Sequence, residues 1–243
     1  MQKQQIQFRR FIAKLEKIHG LQGWWPRLIV NKVPSTKYQV LHHPGPKLCW
    51  LSKTPSDQAF EVAVGAILTQ NTAWTNVEKA LVCLAQRGLM TSKSLFRART
   101  SSIESCVRSS GYYRQKARKL KLFAKFVEEE LGGDLQKILP LSKGEQEGVL
   151  AARSRLLSLW GIGPETADTI LLYGLNSPIF VIDAYTRRLL VYLTGDASWH
   201  KKPYDEVCRF CEIAMGKSSV KEFQEAHALI VRWGKKKPQL RIS

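Results

Sequence analysis

The chemistry this sequence could perform is concentrated in two places. The first is an acid. Pro178-Ile179-Phe180-Val181-Ile182 is an apolar run that ends on Asp183, and Ala184-Tyr185-Thr186-Arg187-Arg188 follows it. A carboxylate at such a boundary is a ready N-cap for the next helix. On the residues alone the cap is the favoured reading; the sharper alternative is a carboxylate held at a cleft between helical lobes, and one side chain can do both. The second place is the turn Leu159-Trp160-Gly161-Ile162-Gly163-Pro164-Glu165-Thr166-Ala167. Gly161 and Gly163 permit dihedrals or close approaches that side chains forbid. Pro164 suits a first helical turn, where its missing N–H has no intrahelical partner to lose. Such a turn aims free backbone N–H groups outward from a helix N-terminus, which is a phosphate site by geometry and dipole. Ile162, between the glycines, is the residue to anchor the turn in the core.

The elements that must position these groups read as helices. Ile6, Phe8, Phe11, Ile12, Leu15 and Ile18 share a face over 6–18. Residues 31–56 carry Pro34, Pro44, Gly45, Pro46 and Pro55 without helical period, so a loop or short-strand connection is expected, hairpin-like around 43–47. From Ser56, read with Asp57 as a cap, helical segments follow at about 56–69, 74–86, 92–96, 103–107, 114–131, 146–159, 165–174, 184–193, 204–215 and 219–233. Period-two alternation is nearly absent. The expected class is all-α with many short helices.

Composition restricts the partner. The 243 residues hold 38 Lys plus Arg against 20 Asp plus Glu, a formal charge of +18, with 44% apolar residues to build a core. That excess exceeds what solubility asks and implies attraction to a polyanion: DNA, RNA or an anionic membrane surface. The basic residues are dispersed, which suits backbone contacts from a folded surface. Five cysteines, at 49, 83, 106, 208 and 211, fit a reducing compartment. Cys208 and Cys211 read as buried helical residues, so no metal site is expected. No apolar run is long enough to span a bilayer.

Leu159 to Ala167 followed by Val181-Ile182-Asp183 resembles the helix-hairpin-helix and Gly/Pro-Asp signature of the endonuclease III superfamily of DNA base-excision glycosylases. Leu68-Thr69-Gln70-Asn71-Thr72 and the segment 227–234 match it too, so the likeness runs over most of the chain from about residue 56. It implies a two-lobed helix-hairpin-helix glycosylase fold, with a central six-helix lobe of about 56–177 and a second lobe made of 1–55 and 178–243. It implies Asp183 as the catalytic carboxylate, Gly161, Gly163 and Thr166 on the DNA backbone, and Gln70 with Asn71 as the wedge filling the space a flipped base vacates. The partner would be damaged double-stranded DNA, bound by a monomer that has no membrane role. An alkali ion, K+ or Na+, held by hairpin carbonyls is common in that superfamily.

Two departures narrow the activity. Members that also cleave the strand carry a lysine nucleophile just after the hairpin, where this chain has Glu165. A carboxylate cannot form the Schiff base of β-elimination, so hydrolysis of the glycosidic bond without AP lyase activity is expected. Many members bear a four-cysteine iron–sulfur loop near the C-terminus, yet no cysteine follows Cys211. No cluster is expected, and absorbance near 400 nm would contradict that. Both features, with Trp24-Trp25-Pro26 and an aromatic residue shortly after Gln70-Asn71-Thr72, look like the bacterial endonuclease III-like 3-methyladenine DNA glycosylases. That likeness implies a cytoplasmic, nucleoid-associated repair enzyme for alkylated purines. It would line the base pocket with Trp24, Trp25, Pro26, Trp74, Glu165 and Lys235. A mismatch thymine/uracil or oxidised-base glycosylase, or a non-catalytic DNA-binding protein, are the competing readings. Residues 31–55 look like an insertion relative to that branch.

Overall fold

The computed structural model describes residues 1–30, 38–41, 52, 54–140 and 145–236. The chain forms two compact units, one of Met1–Trp24 with Asn176–Ser243 and one of Trp25–Leu175. The family resemblance implies a second lobe whose N-terminal part runs to residue 55. In the structure, residues from Trp25 on group with the central helices, because Trp25 packs there on Trp74 and Tyr173.

The unit built from both ends holds four helices among its described residues: α1 (Gln2–His19), α9 (Ala184–Thr194), α10 (Tyr204–Met215) and α11 (Val220–Lys235). Helix α1 buries Phe8, Ile12 and Leu15 on the face that the spacing predicts. Phe8 sets its ring edge-on to Phe180 and Phe210 at 6.1 and 6.3 Å, and Phe180 meets Phe223 at 5.6 Å. These contacts tie α1, the apolar run before Asp183, α10 and α11 into one core. Ser219 and Glu222 form a reciprocal capping box that starts α11. Cys208 and Cys211 are buried on α10, and burial pushes the Cys211 thiol up.

The central unit runs through α2 (Pro55–Thr69), α3 (Trp74–Gln86), α4 (Ser92–Arg97), α5 (Thr100–Val107), α6 (Tyr113–Leu131), α7 (Glu145–Leu157) and α8 (Pro164–Thr169). Helix α8 continues into a π-helical turn at Ile170–Gly174. Helix α2 is buried from Ala59 to Leu68, as befits the apolar centre of a bundle. Its cap is Thr54 rather than Ser56: the Thr54 side chain accepts the Asp57 N–H, and Pro55 takes the first helical position, where proline fits best. Gly174 of the π turn lies so close to α2 that an added Cβ would meet the Ala59 carbonyl at 3.2 Å.

The expectation of almost no strand is corrected at one point. Strands β1 (Arg27–Val30) and β2 (Tyr38–Leu41) pair antiparallel, Arg27 opposite Leu41 and Val30 opposite Tyr38. The run Leu28-Ile29-Val30 has the branched side chains that favour extended backbone. The hairpin expected around 43–47 lies outside the described residues. Among those residues no helix is long and apolar enough to cross a membrane.

Candidate active site

In the unit made from the chain ends, Asp183 is the N-cap of α9. Its Oδ1 accepts the Thr186 N–H at 2.7 Å and the Thr186 hydroxyl at 2.9 Å. Oδ2 faces His227 Nε2 on α11 at 3.7 Å, and the Asp183 side chain keeps 12% exposure. Burial alone would push this carboxyl upward. The His227 imidazole and the two Thr186 groups more than offset burial and hold it below the usual carboxylate range. Asp183 is therefore an anion at neutral pH, and the capping role that the sequence allowed is realised alongside whatever chemistry it does.

His227 leads from the acid to an aromatic wall. The Trp24 indole stands edge-on to it, centroids 6.1 Å apart at 81°. The Lys235 ammonium lies 5.9 Å from the Trp24 centroid, at the outer edge of cation–π range. The backbone that presents Trp24 is fixed by a residue the sequence reading passed over. Glu225, two positions before His227 on α11, is buried and accepts the N–H groups of Gln22 at 2.6 Å and Gly23 at 2.8 Å. Arg232, one helical turn after Ala228, donates to the Gln22 side chain at 3.0 Å. Tyr185 presses on the same helix, where a Cβ on Gly234 would sit 2.2 Å from its ring. Glu225 had no local signal beyond polarity on an apolar face, since its partners Gln22 and Gly23 lie at the other end of the sequence; His227 opened the matched segment 227–234, but its facing of Asp183 had no local signal.

In the central unit Trp25 is 8% exposed and packed edge-on to Trp74, at 5.4 Å and 89°, and against Tyr173 at 5.3 Å. Gly65 of α2 allows the approach, since a Cβ there would meet the Trp25 indole nitrogen at 3.1 Å. Tyr173 is a second residue that periodicity could not find, because the π turn rotates it out of ordinary helical phase. Pro26 is buried and Trp74 half-buried.

The hairpin joins α7 to α8. Arg153 on α7 clamps the buried Asp168 on α8 through two bonds of 2.6 and 3.2 Å, which sets the angle between the helices. Ile162 is buried, as the turn requires. Gly161 has φ +84°, and a Cβ there would fall 2.4 Å from Lys119 Cε. Gly163 differs: nothing lies within 4 Å of a Cβ placed on it, and it precedes α8 without any side-chain cap. Glu165 is exposed in the first turn of α8.

Gln70 is held by the hairpin. Its amide donates to the Gly161 carbonyl at 3.1 Å and to Thr166 Oγ1 at 2.9 Å, and its carbonyl accepts Lys119 Nζ at 2.5 Å. Asn71 next to it is exposed in the left-handed region, φ +53°. Of the carbonyls that an alkali ion would use, those of Leu159, Gly161 and Gly163 accept Ile162 N–H, the Gln70 amide and Ala167 N–H. Oxygen donors of the right kind are present, each with one chain partner already. Tyr112 is 68% exposed at φ +44°, an aromatic in a strained turn that the sequence reading did not single out. Among the described residues no group of three or more His, Cys, Asp or Glu could hold a metal ion.

The hairpin and the cap aspartate both fall within the stretch that one family comparison matches. Residues 64–213 match the model of the HhH-GPD superfamily base excision DNA repair protein. The chain belongs to that superfamily. It is 38% identical over 182 residues to a putative DNA repair glycosylase of Methanocaldococcus jannaschii, covering 75% of this chain and 79% of the relative. Endonuclease III of Thermotoga maritima is 28% identical over 130 residues, 54% of each chain. Among solved structures, the H. pylori 3-methyladenine DNA glycosylase bound to 1,N6-ethenoadenine superposes with a TM-score of 0.70 at 22% identity, over 96% of this chain and 99% of that one. A trapped endonuclease III–DNA covalent intermediate superposes with a TM-score of 0.62 at 16% identity, over 96% and 86%. This HhH-GPD chain is thus a base-excision-repair DNA glycosylase with the all-α fold of its superfamily.

Proposed function

We propose that this glycosylase removes N-alkylated purines such as 3-methyladenine from double-stranded DNA by hydrolysis and leaves the strand intact. One observation carries the reading: Asp183 is held as an anion beside His227 and the edge-on Trp24, while the position after the hairpin offers a carboxylate, Glu165, where a strand-cleaving enzyme needs an amine.

The target base lies inside the duplex and must be extruded at a cost of a few kcal/mol of stacking and pairing. An alkylated purine carries positive charge, so the face of Trp24 favours it over the neutral parent. When the glycosidic bond breaks, its electron pair goes to the base and neutralises the ring. The sugar left behind is cationic at C1′. Asp183 stabilises that charge electrostatically and polarises the water whose oxygen bonds to C1′, and the water's proton passes to solvent or to the carboxylate. Unmodified guanine and adenine are rejected because they leave as much poorer groups. Gly161 and Gly163 hold the strand at the hairpin and the exposed Asn71 enters the vacated space, while Gln70, bonded to Gly161, the buried Thr166 and Lys119, braces the turn that carries it.

The test is a panel of duplexes bearing 3-methyladenine, uracil or thymine opposite guanine, thymine glycol, or no lesion, with free base and strand breaks measured independently. The reading expects release of alkylated base alone and no breaks. Borohydride added with an abasic duplex should trap no covalent complex. Preferential release of uracil, thymine or thymine glycol would replace the substrate assignment, and strong trapping would restore a lyase.

A further inference from the structure

Among the described residues Trp160 is the most exposed tryptophan, at 47%, and it stands immediately before Gly161. Exposing that much indole costs solvation free energy and contributes little to the core. Its face is covered by one group: the Arg118 guanidinium from the second turn of α6, 4.4 Å from the ring centroid. Arg118 is itself exposed and makes no ion pair or hydrogen bond among the described residues. Contact with the indole face restrains the guanidinium while its N–H groups make no hydrogen bond within the described residues, and an arginine so held can grip a phosphate in two-pronged fashion. One turn earlier the motif repeats, with exposed Arg114 and Arg108 at 5.6 and 5.1 Å from the Tyr113 ring. Lys119, beside Arg118, runs along the hairpin at Gly161 and bonds Gln70. Helix α6 carries its acidic residues, Glu128 to Glu130, only in the last turns, far from this basic start.

We propose that Arg118, oriented by Trp160, is a phosphodiester-binding site on the flank of the hairpin, which Arg114 on Tyr113 extends along α6. The ligand is a backbone phosphate of the bound strand, beyond those gripped by the hairpin N–H groups. The inference rests on the DNA glycosylase reading above and adds to it a contact that sets affinity, separate from catalysis.

Binding of the full chain to a labelled undamaged duplex, measured as a function of KCl, tests it. Loss of one phosphate contact lowers the slope of log affinity against log salt by about 0.9. Arg118→Ala should show that drop and bind about five- to tenfold more weakly at low salt. Trp160→Ala should behave alike, because the guanidinium loses its platform, whereas Trp160→Phe should stay within twofold of wild type. Base release at saturating protein should be unchanged in all three, and their melting temperatures should match. An unaltered slope in Arg118→Ala overturns the site, and so does a Trp160→Ala variant that binds as wild type does. A wild-type chain that releases no base would defeat the glycosylase reading while leaving this comparison of slopes intact.

Discussion

Asp183 divides its work between two oxygens. Oδ1 is committed to the Thr186 N–H and hydroxyl at the start of α9, and Oδ2 is the oxygen that faces His227. The cap gives the carboxylate a fixed direction, and the imidazole and Thr186 groups keep it charged although it is buried. A depressed pKa means that the stability drawn from this ionised group is present above the ordinary carboxylate value and is lost only as pH falls through the lower folded value. Between pH 7 and 5, single-turnover base release should therefore vary by less than about threefold on account of Asp183, since its protonated fraction stays small throughout. A carboxylate-type limb in that window, measured by quenched-flow release of labelled base, would show that the acid is not held as described. At this scale the sequence was legible where a residue announces itself by its neighbours. Asp183 follows an apolar run and precedes a helix, so both of its readings were visible. The role of Glu225 was not, because its partners come from the far end of the chain, and that of His227 was not, because only the packing of α11 on the start of α9 brings it to Asp183.

At the scale of elements the hairpin separates two glycines that look alike in sequence. Gly161 has a left-handed backbone and Lys119 packed against it; Gly163 has φ −96° and open space. Gly161→Ala should destabilise the fold by roughly 1–3 kcal/mol through strain and overpacking. Gly163→Ala should leave the melting temperature nearly unchanged and reveal itself only in weaker duplex binding. Equal destabilisation by both variants would mean that Gly163 serves the fold and not the strand. The helices themselves were largely readable, since amphipathic period sets them: α10 begins and ends where its pattern does, and α1 runs beyond its pattern, from Gln2 to His19. The misplaced start of α2 came from weighting Ser56 over the Thr54-Pro55 pair. Of the β1–β2 ribbon, β2 falls in the stretch where a loop or short-strand connection was expected, whereas β1 and the pairing were hidden because short strands pair through backbone, which leaves a weak imprint on side-chain order. The π turn at Ile170–Gly174 was hidden for the opposite reason: one extra residue per turn breaks the period by which helices are found.

For the whole molecule the charge of +18 was plain from composition, and so was a polyanionic partner. What composition could not say is that one of these cations is internal. Lys116 is 2% exposed, and its ammonium bonds the carbonyls of Leu68 at 2.8 Å and Ser110 at 2.5 Å, joining the end of α2 to the turn before α6. Burial, with the Lys119 charge nearby, pushes its pKa down to about 8. Above that pH the unfolded chain holds a proton there that the folded chain has given up, so this lysine makes stability rise with pH from about 8 toward 10.5. Urea midpoints compared between wild type and Lys116→Met across that range should show the rise in the wild type alone; parallel curves would remove Lys116 as its source. Fold and family follow from patterns spread along the chain, whereas the substrate depends on a few side chains around one acid. The most direct measurement of the central claim is single-turnover release of 3-methyladenine from a duplex by wild type and Asp183→Asn, with duplex affinity and strand integrity followed in parallel. Wild type should release the base and leave the strand whole, while Asp183→Asn should lose at least about a hundredfold in rate, roughly 2.7 kcal/mol of transition-state stabilisation, and keep most of its affinity. No release by wild type, or an Asp183→Asn rate within about threefold of it, would contradict the account.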